Sequence, residues 1–349
     1  MTRNPVPVVL LVLVCALVLA AGCTGRPGEK TTVNVVAAGS LLVPLGEAEA
    51  RYEALHPDID IQVEGHGSIQ AIRQVTDIHR SFDLVMVADE SLIPDLMYRP
   101  VEGGEGNYTD WYIPFARNDM VIAFTDKSRY HDEITQENWH RILARSDVRV
   151  GFSNPMKDAA GYRALIVTLL AGEFYDDPAI FSRVIGDHFT PALTAVPDDG
   201  VLTVRLPQVL KPDTRKIAIR DGSIFLMSLL EAGGIDYAFE YRNVAEAWGV
   251  PYIVLPDAIN LRDPELAGRY ARVRVILGFP RFATIGSERP GMPIVYAVTI
   301  PSTADRPDEG RAFMEFFLAE AQAGGKGWPA PLGSTPAQVE SSSLTVAGG

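Results

Sequence analysis

Two short turns in this sequence place a hydroxyl where an anion could be held without a cation. Gly39-Ser40 and Gly67-Ser68 each fall between a β-rich apolar run and a stretch of helical periodicity. A serine at such a junction supplies an O–H donor. The helix start behind it supplies N–H groups without intrahelical partners and the positive end of the helix dipole. Two such junctions side by side form a cradle for an oxyanion. Taken singly, each serine also fits the ordinary N-cap role. A third junction, Ser153-Asn154-Pro155-Met156-Lys157-Asp158, leads into Ala159-Ala160-Gly161-Tyr162-Arg163. Asp158 stands at that helix start, either as a cap or as part of a ligand turn facing the first two. Tyr241 ends the run Ile235-Asp236-Tyr237-Ala238-Phe239-Glu240-Tyr241. Its hydroxyl can donate to an oxyanion, although a tyrosine in such a run more often packs in a core.

Enzyme signatures are missing. The sequence has no Gly-x-Ser-x-Gly, no His-Glu-x-x-His and no Gly-Lys-Ser/Thr phosphate loop. The six histidines show no metal-ligand spacing. His66 is close enough in sequence to Ser68 to suggest a nucleophile and its base, but no acidic partner accompanies it. The residues point to binding rather than catalysis. The rival from another class is a secreted two-lobed hydrolase or transferase.

The elements needed to position these turns are legible. Val33–Ala38 reads as a strand, and Leu41, Leu45, Ala48, Tyr52 and Leu55 follow at helical spacing, with a stop at His56 before Pro57. Ile59–Val63 alternates as a strand, Ile69, Ile72 and Val75 share a helical face, and Phe82–Val87 is a third strand. A β-α-β-α-β run of this kind implies a parallel sheet, with ligands taken at the carboxyl ends of its strands. Further strands are expected at Met120–Phe124, Val148–Phe152, Ile235–Tyr241 and Ile294–Ile300. Helices are expected at Tyr162–Ala171, Ile224–Ala232 and Asp308–Gln322. The Gly/Ser/Pro-rich tail after Gly324 reads as frayed.

Bulk properties narrow the class. A length of 349 residues suits two domains, and 47% hydrophobic with 21% charged residues describes a folded chain. With 44 acidic against 31 basic residues the net charge is −13, which excludes nucleic-acid binding through a broad basic face. Only Cys15 and Cys23 are present, so the folded part has neither a disulfide nor a thiolate metal site. Residues 1–22 read as a secretory signal with an apolar run from Val6 to Ala21. That run is short for a membrane span of roughly 20 residues. Leu19-Ala20-Ala21-Gly22-Cys23 has the form of a lipobox, which makes Cys23 the expected lipidation site and residues 23–31 a tether. The bulk of the chain is therefore expected outside the cytoplasm, held to the outer face of the cell membrane.

At the residues that carry the cradle the chain resembles the tungstate/molybdate-binding proteins of ABC importers, especially their archaeal-type branch. The resemblance runs from about Val33 to Pro336. It rests on Ala37-Ala38-Gly39-Ser40-Leu41, Gly67-Ser68, Asp83-Leu84-Val85-Met86-Val87-Ala88-Asp89, Ser153-Asn154-Pro155 with Asp158 and Gly161-Tyr162-Arg163, and Ile235–Arg242. It implies an α/β, two-lobed periplasmic-binding-protein fold of type II topology, with the ligand cleft between the lobes. It also implies a monomer without cofactor, whose cargo is the oxyanion and whose partners are an ABC permease and its ATPase. The ligand residues implied are Gly39, Ser40, Ser68, Asp158, the backbone near Ala159 and Ala160, Ser223 and Tyr241. Sulfate and phosphate are the competing ligands.

Two departures from the family pattern bear on the chemistry. The residues after Asp158 are Ala159-Ala160, where relatives have Pro-Cys or similar. The archaeal-type branch has a glutamate in an Arg-Pro-Lys-Glu stretch, and here the aligned residues read Arg220-Asp221-Gly222-Ser223. In the family that glutamate joins the aspartate on the metal centre. With Ser223 in its place, Asp158 would be a metal ligand only if the bound oxyanion expands its coordination, unless Asp221 supplies the missing carboxylate. The expected division is lobe one at 32–115 plus 260–349 and lobe two at 116–259.

Overall fold

The computed structural model describes residues 30–278, 287–333 and 338–340. The signal segment 1–22, Cys23 and most of the tether lie outside the described residues. Among those described, no helix is long and apolar enough to cross a membrane.

The first strand, β1 (Thr31–Ala38), begins one residue inside the expected tether, where the Thr31 amide donates to Asp58 O at 2.8 Å. A single 3₁₀ turn, Gly39–Leu41, leads into α1 (Leu42–Leu55). Pro44 is accommodated in the first turn of α1, where its missing N–H has no intrahelical partner to lose. Next come β2 (Ile59–His66), α2 (Ser68–Thr76), β3 (Leu84–Val87), β4 (Trp111–Asn118) and β5 (Met120–Ala123). The middle of the chain forms β6 (Val150–Ser153), α3 (Ala159–Phe174), β7 (Ala195–Asp198), β8 (Val201–Arg205) and β9 (Ile217–Arg220). It continues with α4 (Ile224–Glu231), β10 (Tyr237–Tyr241), α5 (Arg242–Trp248) and β11 (Tyr252–Val254). The last part holds β12 (Val273–Ile276), β13 (Glu288–Pro290), β14 (Ile294–Thr299), α6 (Pro307–Ala323), β15 (Ala330–Pro331) and β16 (Val339–Glu340).

These strands build two larger sheets with one connectivity. The first is ordered β15-β4-β14-β3-β1-β2, with β16 also on β4, and the second β11-β5-β10-β6-β9. In the first, β1 pairs in parallel with β2 and β3, and the late strand β14 lies antiparallel to both β3 and β4. In the second, β6 pairs in parallel with β9 and β10, and β5 lies antiparallel to β10 and β11. Each sheet thus exposes the carboxyl ends of its parallel strands along one edge. The junctions Gly39-Ser40, Gly67-Ser68, Ser153–Asp158 and Tyr241 all lie at those ends.

The parallel β-α-β-α-β unit at the start forms as its periodicity predicts. One expectation needs correction. The tail after Gly324 is not frayed at its described residues. It returns to β4, with Ala330 opposite Arg117 and Val339 opposite Tyr112, because β4 would otherwise leave an open sheet edge. The chain re-enters the first sheet at Ile294. Before that, β12 and β13 join a small third sheet, β13-β12-β8-β7, in which Val275 pairs with Val204. The apolar stripe of α6 buries Phe313, Met314 and Phe317. Phe313 meets Tyr52 edge-on at 5.2 Å and Phe317 meets Phe115 at 5.6 Å, which seats the helix on the first sheet.

Candidate functional site

Ser40 sits in the 3₁₀ turn rather than capping α1, and its side chain is buried. Its Oγ accepts a hydrogen bond from Tyr296 Oη at 2.9 Å. Tyr296 Oη in turn accepts from Asn118 Nδ2 at 2.9 Å. Asn118 Nδ2 also donates to Asn243 Oδ1 at 2.7 Å, and Asn243 Nδ2 returns to Ser40 O at 2.8 Å. This closed ring ties the Ser40 turn to the link between β4 and β5, where the chain passes from one sheet to the other.

Ser68 is the first residue of α2 and is fully buried, with Gly67 in the cap position. Its Oγ accepts from the Ala88 amide at 3.1 Å. Tyr241, at the end of β10, is 1% exposed, and its Oη accepts from Arg163 Nη1 at 2.7 Å. The same Nη1 donates to Ala88 O at 2.6 Å, and Arg163 Nη2 lies 3.3 Å from Asp89 Oδ2. Burial opposes ionisation of Asp89, but Arg163 and Arg289 outweigh it and hold the carboxyl below the usual carboxylate range. Ser40, Ser68 and Tyr241 therefore share one arrangement. Each hydroxyl accepts from a protein donor, and among the described residues none has an acceptor for its own proton. A buried O–H left in that state is set up to donate.

On the opposite side Asp158 caps the start of α3 in extended backbone (φ −137°, ψ 138°), and its Oδ2 accepts from the Ser223 amide at 2.9 Å. Burial pushes its pKa up. The Ser153 hydroxyl and the Ser223, Ala160 and Ser68 amides act against that rise without cancelling it. Ala159 and Ala160 form the buried first turn of α3, whose amides face the same space. Ser223 stands at the N-cap position of α4, where its side chain makes no capping hydrogen bond, and is buried.

The two sides touch. The Gln70 amide donates to Lys157 O at 3.0 Å. A Cβ added at Gly67 would lie 2.4 Å from Lys157 O, and one at Gly39 would lie 3.2 Å from Ile224 Cγ2. The cleft is thus closed, with bare backbone from the first sheet's side against the N-termini of α3 and α4. The structure brings Gly39, Ser40, Ser68, Asp158, Ala159, Ala160, Ser223 and Tyr241 together. It excludes Asp221, whose side chain is 55% exposed and paired with Lys157 at 2.7 Å. Among the described residues no group of three or more His, Cys, Asp or Glu could hold a metal ion.

Sequence reasoning missed Arg163, Tyr296, Asn118 and Asn243, whose roles depend on contacts between residues far apart in the chain. It also missed Glu240, which is fully buried beside Asp158 and Ser223. A signal for it existed: one acidic residue in an otherwise apolar strand, Tyr237-Ala238-Phe239-Glu240-Tyr241.

Residues 33–324 match the family model for bacterial extracellular solute-binding proteins. An uncharacterized solute-binding protein of Methanoculleus marisnigri is 36% identical over 322 residues, covering 88% of this chain and 87% of the relative. The molybdate/tungstate-binding protein WtpA of Thermococcus kodakarensis is 37% identical over 327 residues, covering 89% and 87%. Among solved structures, the sulfate-binding protein SubI of Mycobacterium tuberculosis superposes with a TM-score of 0.52 at 12% identity, covering 87% of this chain and 88% of its own, and shares the two-lobed fold. On the family match and the identity to these relatives, the chain belongs to the extracellular solute-binding proteins and is a binding protein, not an enzyme.

Proposed function

We propose that this protein captures tungstate or molybdate outside the cytoplasm and delivers it to the permease and ATPase of an ABC importer. The observation that carries the reading is the set of three buried hydroxyls, on Ser40, Ser68 and Tyr241, each accepting from the protein and each with an uncommitted proton. A fully deprotonated tetrahedral oxyanion offers only acceptors, so it suits a site that offers donors. The first-turn amides of α2, α3 and α4 add partial positive charge without a counter-ion. The relatives named for molybdate and tungstate support the choice of cargo. The cargo is the ligand of the cleft, and no cofactor enters the reading.

Calorimetry on the soluble domain with tungstate, molybdate, sulfate and phosphate tests it. Tungstate and molybdate are expected to bind in the nanomolar to micromolar range and at least about 100-fold more tightly than the other two. Tighter binding of sulfate or phosphate would reassign the cargo. We place the lipid anchor at Cys23, on the lipobox form of Leu19–Cys23. Cys23→Ser should leave the protein unacylated and uncleaved, and a variant still recovered as a mature lipoprotein would refute that assignment.

A further inference from the structure

Beside Asp158 and Ser223 lies a carboxyl group to which the proposed function gives no task. Glu240 is fully buried on β10, whose residues are all buried. Its Oε1 accepts from the Tyr241 amide at 2.8 Å, and its Oε2 has no hydrogen-bond partner of normal length and angle. Ser153 Oγ is also buried and without such a partner. The two belong together, because β10 and β6 run parallel with Ala238 opposite Gly151. Two residues further on, Glu240 and Ser153 lie at the carboxyl ends of neighbouring strands, and the alternation of side chains puts them on one face. Asp158 and Ser223 border the same space. The Ser153 hydroxyl leans on Asp158 and the Ser223 hydroxyl on Glu240 only outside normal hydrogen-bond geometry, and buried polar atoms held so loosely are costly unless something occupies the site.

We propose that Glu240 is a further recognition residue of the cleft, which donates a hydrogen bond through Oε2–H to the bound oxyanion. The inference rests on the oxyanion reading and deepens it. An ionised Glu240 would set a second carboxylate beside Asp158 and against a dianion, and the Ser223 hydroxyl offsets that repulsion only in part. A neutral carboxylic acid turns the same atom into a donor. Burial, reinforced by the negative charge of Asp158, pushes the Glu240 carboxyl up to about 8, while the Tyr241 amide and the Ser223 hydroxyl only partly oppose the rise. The other ionisable groups around it are Tyr296 on β14 and Tyr241. Burial raises both, so they stay protonated through this range, and Arg163 behind Tyr241 stays charged. Binding of a dianion must raise the Glu240 carboxyl further.

The sign of the linkage follows. Below about pH 8 the donor form is already present, and binding changes no proton count. Above it Glu240 ionises in the free protein, so binding must take up one proton and affinity falls about tenfold per pH unit. Two other groups titrate nearby. Glu90, pushed up to about 7 by burial and by Asp89, has ionised before this range. Lys216, pushed down to about 8 by burial, lies at the amino end of the strands and donates to the carbonyls of Leu143 and Val148, away from the cleft.

The experiment is calorimetry of tungstate binding between pH 6.5 and 9.5, in buffers of differing ionisation enthalpy, on wild type and Glu240→Gln. Gln keeps the acceptor for the Tyr241 amide and places an N–H donor where Oε2–H stood. Wild type should take up no proton at pH 7 and close to one at pH 9.5, with affinity falling about tenfold over the last pH unit. Glu240→Gln should bind within about threefold of wild type at pH 7 and lose the fall. The proposal is overturned by a wild-type affinity flat to pH 9.5 with no proton uptake, by a Gln variant that keeps the fall, or by a folded Gln variant that loses binding at pH 7. If Glu240→Gln fails to fold, the wild-type proton count alone decides. A wild type that binds no oxyanion at pH 7 overturns the oxyanion reading itself, and the proposal with it.

Discussion

At the residue scale, Ser40 and Ser68 do two jobs with one atom. Each Oγ accepts from the protein, from Tyr296 and from the Ala88 amide, and each is free to donate into the cleft. A hydrogen bond to a charged group is worth about 1.5–3 kcal/mol, so Ser40→Ala and Ser68→Ala should each weaken oxyanion binding by about 10- to 150-fold. The two should differ without ligand. Ser68→Ala strands the Ala88 amide in the interior, at about 1–3 kcal/mol, whereas Tyr296 in Ser40→Ala can turn its proton elsewhere. Paired calorimetry and thermal melts check this, and unchanged affinity in both variants would reduce the serines to structural roles. These two residues, with Asp158 and Tyr241, were legible in the sequence because each stands where a strand run meets a helix signal. Arg163, Tyr296 and Asn243 were not. Their roles come from partners 78, 256 and 203 residues away, and no local pattern records such a pairing. Glu240 breaks an apolar run, and a buried acid in a strand is the kind of local inconsistency that marks a functional position.

At the element scale, the site depends on closing two sheets' strand ends against each other. The Arg163–Asp89 ion pair joins α3 to the end of β3, and Tyr162 Oη also bonds Asp89, so the closed state buries a charged pair with its hydrogen bonds met. Gly67 is where backbone meets backbone. Its φ of −66° and ψ of 147° suit any residue, so glycine is needed there for space rather than for conformation. In Gly67→Ala the new methyl would meet Lys157 O at 2.4 Å and Asp158 Cβ at 2.6 Å. The variant should melt like wild type without ligand, yet bind about 100-fold or more weakly, since apparent affinity scales with the fraction able to close. Small-angle scattering should show wild type contracting on ligand addition and the variant staying extended. Wild-type affinity in Gly67→Ala would mean that the bound state is not this closed one. The first β-α-β-α-β unit was legible because each strand is followed by a helix with a clear apolar stripe. The strand β4 was not, since Pro114 interrupts it and only part of its length is buried. The small sheet of β7, β8, β12 and β13 escaped for a related reason: its strands are three to five residues long and partly exposed, which leaves little periodicity to read.

At the scale of the whole molecule, an acidic protein is proposed to bind a dianion. The chain carries −13, and removal of residues 1–22, whose one charged residue is Arg3, makes it −14. The cleft resolves the conflict locally, with hydroxyls, helix amides and a buried arginine that act over a few ångströms. Approach is another matter, because a ligand still outside the cleft senses the summed charge. Net repulsion of like charges slows encounter, and salt screens it over a distance that shrinks from about 30 Å at 0.01 M to about 8 Å at 0.15 M. The association rate for tungstate should therefore rise with ionic strength, by about two- to tenfold between 10 and 200 mM salt, the reverse of a basic anion binder. Dissociation, which begins from a closed cleft shielded from the bulk, should change little. Affinity would then improve with salt by about the same two- to tenfold rather than weaken. Stopped-flow tryptophan fluorescence across a salt series, with a non-competing salt such as sodium chloride, gives both rates. An association rate that falls as salt is added would show that a local positive field around the cleft mouth, and not the net charge, governs capture.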